Sequence, residues 1–252
     1  MTWRKGLFNV SGAVALGCLV ASSAQAIPIT TSGAWDSADA NAATTPTVSI
    51  GNDGTGMNNK ISWGTPADGA PSSWVFTGAS ISPSLSDVLA GVPQPLGVFT
   101  HNNFVITAAT AGFFGADLRL NILVDLDGDT INEIDVNFGP FGFDHEETPN
   151  SGDPLNCDPV GLGMTACPDV VDIPTALEGI PFTFMGMNFE FFLAGFQPSG
   201  GGAITTQFVT EEGLVNNATL FGQVRKVPEP TTPLLLGLGL LGLGVIRKRK
   251  KQ

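Results

Sequence analysis

The chain has no tyrosine, two histidines, three cysteines and only 11 lysine and arginine residues among 252. Each shortage closes a class of functions. So few cations, set against 23 aspartates and glutamates, leave no basic surface on which a nucleic-acid backbone would be neutralised. The cysteines show no CxxC spacing and no histidine neighbours, which argues against a thiolate metal site. No Gly-x-Ser-x-Gly elbow occurs, and few bases exist to activate one of the many serines. Long amphipathic helical patterns are also scarce. What the chain does have is glycine, proline and phenylalanine, with short apolar stretches between turn residues, the pattern of sandwiches and barrels.

The two ends carry an address. Arg4 and Lys5 precede an apolar stretch from Gly6 to Val20, and Ala24-Gln25-Ala26 has the small-x-small form of a signal-peptidase site, so the mature chain is expected to begin at Ile27. A lipobox reading of Ala15 to Cys18 fits less well. At the other end Val227-Pro228-Glu229-Pro230 leads into an apolar run from Leu234 to Ile246, and the basic cluster Arg247 to Lys251 follows before Gln252. Apolar residues followed directly by lysine and arginine halt translocation with the basic end inside. The run is 13 residues long, short of the roughly 20 that span a bilayer, which suits a transient membrane stop better than a permanent anchor. This tail resembles the PEP-CTERM signal of bacterial exopolysaccharide producers. The resemblance implies processing by a membrane transpeptidase of the exosortase type, with residues 1–26 as signal peptide, 27–226 as one exported β-rich domain and 227–252 as the sorting tail.

Seven of the 11 cations lie in those two ends, so the exported part keeps Lys60, Arg119, Arg225 and Lys226 against 22 acidic residues, a formal charge of −18. Such a surface repels phosphate backbones and anionic lipid and attracts cations. Cys157 and Cys167 survive signal cleavage, and in an oxidising compartment they are expected to pair. Closing so short a loop contributes about 2 to 3 kcal/mol in the chain-entropy account.

The expected fold is all-β, an antiparallel sandwich of jelly-roll type. The clearest strands flank Asp125 to Asp129. Leu118, Leu120, Ile122 and Val124 alternate with polar residues on one side, and Ile134, Val136 and Phe138 do so on the other. A two-residue turn at Asp127-Gly128 would bring Glu133 and Asp135 to the core face, so the loop must hold an odd number of residues. Three or five residues would pair Ile122 with Ile134, Leu120 with Val136 and Leu118 with Phe138. Further strands are expected at 103–107, 170–173, 182–185, 187–193, 207–210 and 219–224, with a short helix after Pro83 capped by Ser84.

Several short signatures recur in the exported part: Ser62-Trp63-Gly64-Thr65-Pro66, Leu96 to Asn103, Glu147-Thr148-Pro149-Asn150, Cys157 with Cys167-Pro168-Asp169, and Leu193-Ala194-Gly195-Phe196. Together they resemble a family of exported proteins carrying a choice-of-anchor domain, most nearly the type called choice-of-anchor K. That implies a surface module joined to an interchangeable tail, with no catalytic residues to carry over.

Asp125, Asp127 and Asp129 are the candidate calcium ligands, because hard cations take several oxygens from alternate aspartates on a tight loop. They do not form an EF-hand, whose sixth and twelfth positions would here be Thr130 and Val136. Asp144-His145-Glu146-Glu147 sets a histidine among carboxylates, but neighbours on an extended strand point to opposite faces. His145 would need distant partners, with His101 the only other histidine, and His101 itself is expected to bond within an Asn102-Asn103 turn. The leading functional reading is a non-enzymatic surface or extracellular-matrix protein of a Gram-negative bacterium. Its expected partners are signal peptidase, an exosortase-type transpeptidase and extracellular polysaccharide. A calcium-dependent carbohydrate-binding module is the alternative, and a glycan-active enzyme the third reading.

Overall fold

A computed structural model describes residues 26–40, 48–54, 57–67, 69–107, 112–126, 134–148, 166–173, 179–184 and 187–228. Thirteen strands and one short helix make up the described chain: β1 (Ile29–Ala40), β2 (Ser49–Gly51), β3 (Lys60–Trp63), β4 (Ser72–Gly78), β5 (Ser80–Ile81), α1 (Leu85–Leu89), β6 (Gln94–Asn103), β7 (Phe113–Val124), β8 (Ile134–Glu146), β9 (Asp169–Asp172), β10 (Ile180–Phe184), β11 (Met187–Pro198), β12 (Gln207–Thr210) and β13 (Leu214–Lys226). They form a six-stranded sheet, β12-β9-β8-β7-β1-β5, and a seven-stranded sheet, β10-β11-β13-β6-β4-β3-β2. Every described pairing of named strands is antiparallel. The fold is the expected all-β sandwich.

The inner faces meet through aromatic rings. Trp35 of β1 lies 5.6 Å from Trp74 of β4, Phe99 of β6 stacks on Phe143 of β8 at 5.6 Å, and Phe138 of β8 stacks on Phe191 of β11 at 4.4 Å. Such rings bury large apolar areas and fix their neighbours by edge and face geometry. Where rings are absent the sheets come closer still. A side chain at Gly78 would put its Cβ 1.9 Å from the Thr31 carbonyl oxygen. In that narrow gap the Thr31 hydroxyl accepts from Ala79 N–H at 2.8 Å and donates to the Leu96 carbonyl, stapling β1 to the opposite sheet.

The β7–β8 hairpin keeps the expected parity but not the expected register. Val124 pairs with Ile134, Ile122 with Val136 and Leu120 with Phe138, while Leu118 pairs with Phe141 beyond a bulge at Gly139-Pro140. The connection therefore runs over residues 125–133, longer than three or five, and both hydrophobic rows still share the core face. The strand expected at 103–107 is also displaced: β6 ends at Asn103, and beyond it only Ile106 bridges to Pro66. Polar His101 and Asn103 occupy inward positions of β6 and hide the alternation. The expectations for 207–210, and for a helix whose first turn is closed by the Ser84 hydroxyl accepting from Asp87 N–H at 3.1 Å, hold.

The sandwich has two unlike ends. At one, α1 caps an apolar cavity of about 120 Å³ lined by residues including Ile27, Leu85, Leu96, Ile122, Phe191 and Val224. At the other, polar side chains are drawn inward.

Candidate functional site

That second end is built from strand termini. Phe99, His101 and Asn103 alternate inward along β6, and Phe141, Phe143 and His145 do so along β8. Asp144 and Glu146 face out, as strand geometry requires, and Glu147 returns inward two residues after His145. Asp169 opens β9, whose partner β12 ends at Thr210. The turn that carries the chain from β12 into β13, and so from one sheet to the other, supplies Glu212 just before Gly213, which takes a positive φ of 74°.

The two imidazole rings lie 5.3 Å apart, centre to centre. His101 is fully buried, and its Nδ1 is 2.8 Å from the Thr210 hydroxyl, which in turn donates to the Asp169 carbonyl at 3.3 Å. His145 Nδ1 is 3.2 Å from the Phe113 carbonyl, so that nitrogen carries the proton. Its Nε2 is 3.7 Å from Asp169 Oδ2 and 4.0 Å from Glu147 Oε2. Asp169 Oδ1 accepts from Thr148 N–H at 2.7 Å, and Trp63 Nε1 donates to Glu147 Oε2 at 3.3 Å. Both histidine Nε2 atoms, Asp169 Oδ2, Glu147 Oε1 and both Glu212 carboxylate oxygens have no hydrogen-bond partner among the described residues, and neither have Trp74 Nε1 and Asn103 Oδ1. Ring nitrogens of His101 and His145 and an oxygen of Asp169 lie within 4.8 Å of one another, as do oxygens of Glu147, Asp169 and Glu212.

Aromatic walls seal the cluster. Trp63 stacks on Phe113 at 4.2 Å and meets His145 edge to face at 5.1 Å, and Trp74 lies 5.3 Å from His145. Burial acts first on the titrating groups, because a dry surrounding disfavours charge. Burial, then the facing His145, holds His101 well below the usual imidazole range. Burial, then the Asp169 charge, pushes Glu147 up to about 7 and Glu212 up to about 7.

The sequence-stated candidates fall elsewhere. Asp125 is buried and its N–H donates to the Pro28 carbonyl at 3.0 Å, while Asp127 and Asp129 lie outside the described residues. Cys167 is not a free thiol, and its carbonyl accepts from the Thr148 hydroxyl at 2.8 Å, two residues from Asp169. Cys157 lies outside the described residues, as does Ala24. Ala26 bridges Ser84, and Ile27 is buried with its N–H donating to the Pro83 carbonyl at 2.9 Å. One reading of the histidines needs correction, and the other holds. His101 lies in a continuous strand and bonds Thr210, not within a turn of its own, and it is the distant partner that His145 was expected to need. The signal that finds the site is His145-x-Glu147, two ligand types on one face of a strand.

At the C-terminal edge β13 ends at Lys226, and Val227 adds one last rung by donating its N–H to the Asn188 carbonyl at 2.9 Å. Pro228 is the last described residue, so Glu229, Pro230 and the apolar run lie beyond. Residues 226–250 match the PEP-CTERM protein-sorting motif. The PEP-CTERM signal thus begins at Lys226, the last residue of β13 and the end of the last described strand. It implies an exported protein, sorted to the cell envelope and recognised by an exosortase. The match covers the tail alone and leaves the sandwich unassigned, and no curated protein matches the chain. No helix among the described residues is long and apolar enough to cross a membrane.

Proposed function

We propose that the chain is a non-enzymatic surface or extracellular-matrix protein of a Gram-negative bacterium, released from its signal peptide at Ile27 and transferred or anchored through Val227 to Pro230. The PEP-CTERM match over residues 226–250 carries this reading. The sandwich supports a structural role in two ways. Its polar cluster is packed behind Trp63, Trp74 and Phe113, three rings that are themselves buried among the described residues and tie the two sheets together. Its −18 exported charge keeps it soluble and apart from other polyanions. Extracellular polysaccharide is its expected neighbour, and a Cys157–Cys167 bridge would close the segment between β8 and β9. Intact mass and terminal peptide mapping of protein from membrane and supernatant fractions test the reading. A chain from Ile27 ending near Pro230 supports it; a chain that keeps its tail through Gln252 in cells with an active exosortase refutes it.

A further inference from the structure

We propose that His101, His145, Asp169 and Glu147 bind one divalent transition-metal ion of the zinc class, which joins the two sheets of the sandwich. The ligand types come first in the argument. Two imidazoles and two carboxylates match borderline cations such as zinc, whereas calcium prefers all-oxygen shells.

Second, the rings are held as ligands need them. The Phe113 carbonyl takes the Nδ1 proton of His145. The Thr210 hydroxyl spends its own proton on the Asp169 carbonyl and so accepts from His101 Nδ1. Both Nε2 lone pairs are then bare, buried and unpartnered among the described residues. A histidine whose far nitrogen donates to a carbonyl or hydroxyl is the usual state of a metal ligand.

Third, the spacing fits. Bonds of about 2.0 to 2.1 Å in a tetrahedron put ligand atoms about 3.3 Å apart. His101, His145 and Asp169 already bring ligand atoms within 4.8 Å of one another, with His145 Nε2 3.7 Å from Asp169 Oδ2. Glu147, 4.0 Å from His145 Nε2 and grouped with Asp169 and Glu212, completes the set by turning its side chain toward the ion. Fourth, the charge calls for a cation: Asp169 and Glu147 together neutralise a divalent ion, Glu212 lies beside them as a further carboxyl group, and no lysine or arginine among the described residues pairs with Asp169 or Glu147. Without a cation the bare nitrogen and carboxylate oxygens repel one another in a dry site, a costly arrangement. His101 comes from the seven-stranded sheet, and His145 and Asp169 from the six-stranded one. The ion is therefore a clamp across the sandwich.

The test uses the full chain, grown with zinc and compared before and after chelation. Metal analysis should find one zinc per chain. Chelation should lower the melting temperature and zinc restore it, and cobalt(II) should give the visible bands of a four-coordinate nitrogen and oxygen site. His101→Asn and Glu147→Gln should each weaken zinc more than about 100-fold, while Thr210→Val, which touches no metal, should fall within the 10- to 100-fold loss of an outer partner. If His101→Asn does not fold, the near-isosteric Glu147→Gln decides alone. Unchanged affinity in folded Glu147→Gln overturns the proposal. So does wild-type protein that binds neither zinc nor cobalt, one stabilised by calcium alone, or a cobalt spectrum with thiolate charge-transfer bands, which would assign the metal to the cysteines.

Discussion

The two ends of the sandwich solve opposite problems with the same strands. Around Ile27, Leu96, Ile122, Phe191 and Val224 the sheets close over an apolar cavity, and the side chains there need only be greasy and of roughly the right size. Around His101, His145 and Asp169 each side chain has one polar atom held by a hydrogen bond and the other left without such a partner among the described residues, and the walls are large aromatic rings in fixed edge and face contacts. The apolar end tolerates imprecision; the polar end does not. The contrast predicts that equal changes in volume should have unequal consequences at the two ends.

Trp63→Ala should be the most damaging single change. It removes a buried ring that touches Trp74, Phe113, His101 and His145 and takes away the donor to Glu147. A loss of about 3 to 5 kcal/mol is expected, as for other buried aromatics cut to alanine, measured by denaturant unfolding. If Ile122→Ala beside the cavity costs as much, the contrast between the ends fails. Gly78→Ala comes next, at about 3 kcal/mol, because its methyl group would collide with the Thr31 carbonyl of the facing sheet and no rotation relieves it. Circular dichroism melts of the purified variant check this.

A gentler probe is pH in chelated protein. Glu147 and Glu212 rise from 4.5 to about 7 on folding, so between those values the folded chain holds more protons than the unfolded chain. Stability then falls as pH rises through this window. His101, depressed by burial, works the other way, but only below its ordinary 6.5. Two carboxyls oppose one imidazole, and above 6.5 they act unopposed. The melting temperature should therefore drop between about pH 6.5 and 7.5, and Glu212→Gln should flatten that drop; a flat wild-type profile would show that the cluster does not control it. At the apolar end, Val136→Ile should add about 0.5 to 1 kcal/mol by filling space, read from the denaturation midpoint. Arg119→Ala should leave the melting temperature unchanged, since its bridge to Asp36 at 2.8 Å is exposed on both sides.

Much of the fold was legible from period-two alternation, and what escaped has a common cause. β7, β8, β11 and β12 show apolar residues on alternate positions, so their existence and inward faces could be read directly. β1 could not. Its inward residues are Ile29, Thr31, Gly33 and Trp35, and the middle two are small because Phe76 and the Gly78 strand press against them. In β4, Ser72 and Ser73 are buried, and Ser72 exchanges hydrogen bonds with Phe104. Close approach and buried polar bonding erase the hydrophobic signal where packing is tightest.

The same holds for the polar cluster. Trp63, His101, Glu147 and Asp169 each sit in a short signature noticed in the sequence, yet none declares a site alone. Their meeting depends on β6 lying opposite β8 and on β9 joining β8, long-range pairings that local pattern does not encode. The sorting tail was legible in full because its chemistry is linear: a motif, an apolar run and a basic end.

Ile27 and Val224 line one cavity, so the domain's entrance and exit share a single end of the sandwich. Along β13, His101's partner Asn216 lies ten residues before Lys226, about 33 Å at the usual strand rise. A bilayer's surface potential decays within about 8 to 10 Å at physiological ionic strength. Under the proposed sorting, with the tail held in a bilayer, β13 would be a spacer long enough to keep the histidine end several screening lengths from its point of attachment, and metal uptake there would depend on the surrounding medium instead of the lipid charge.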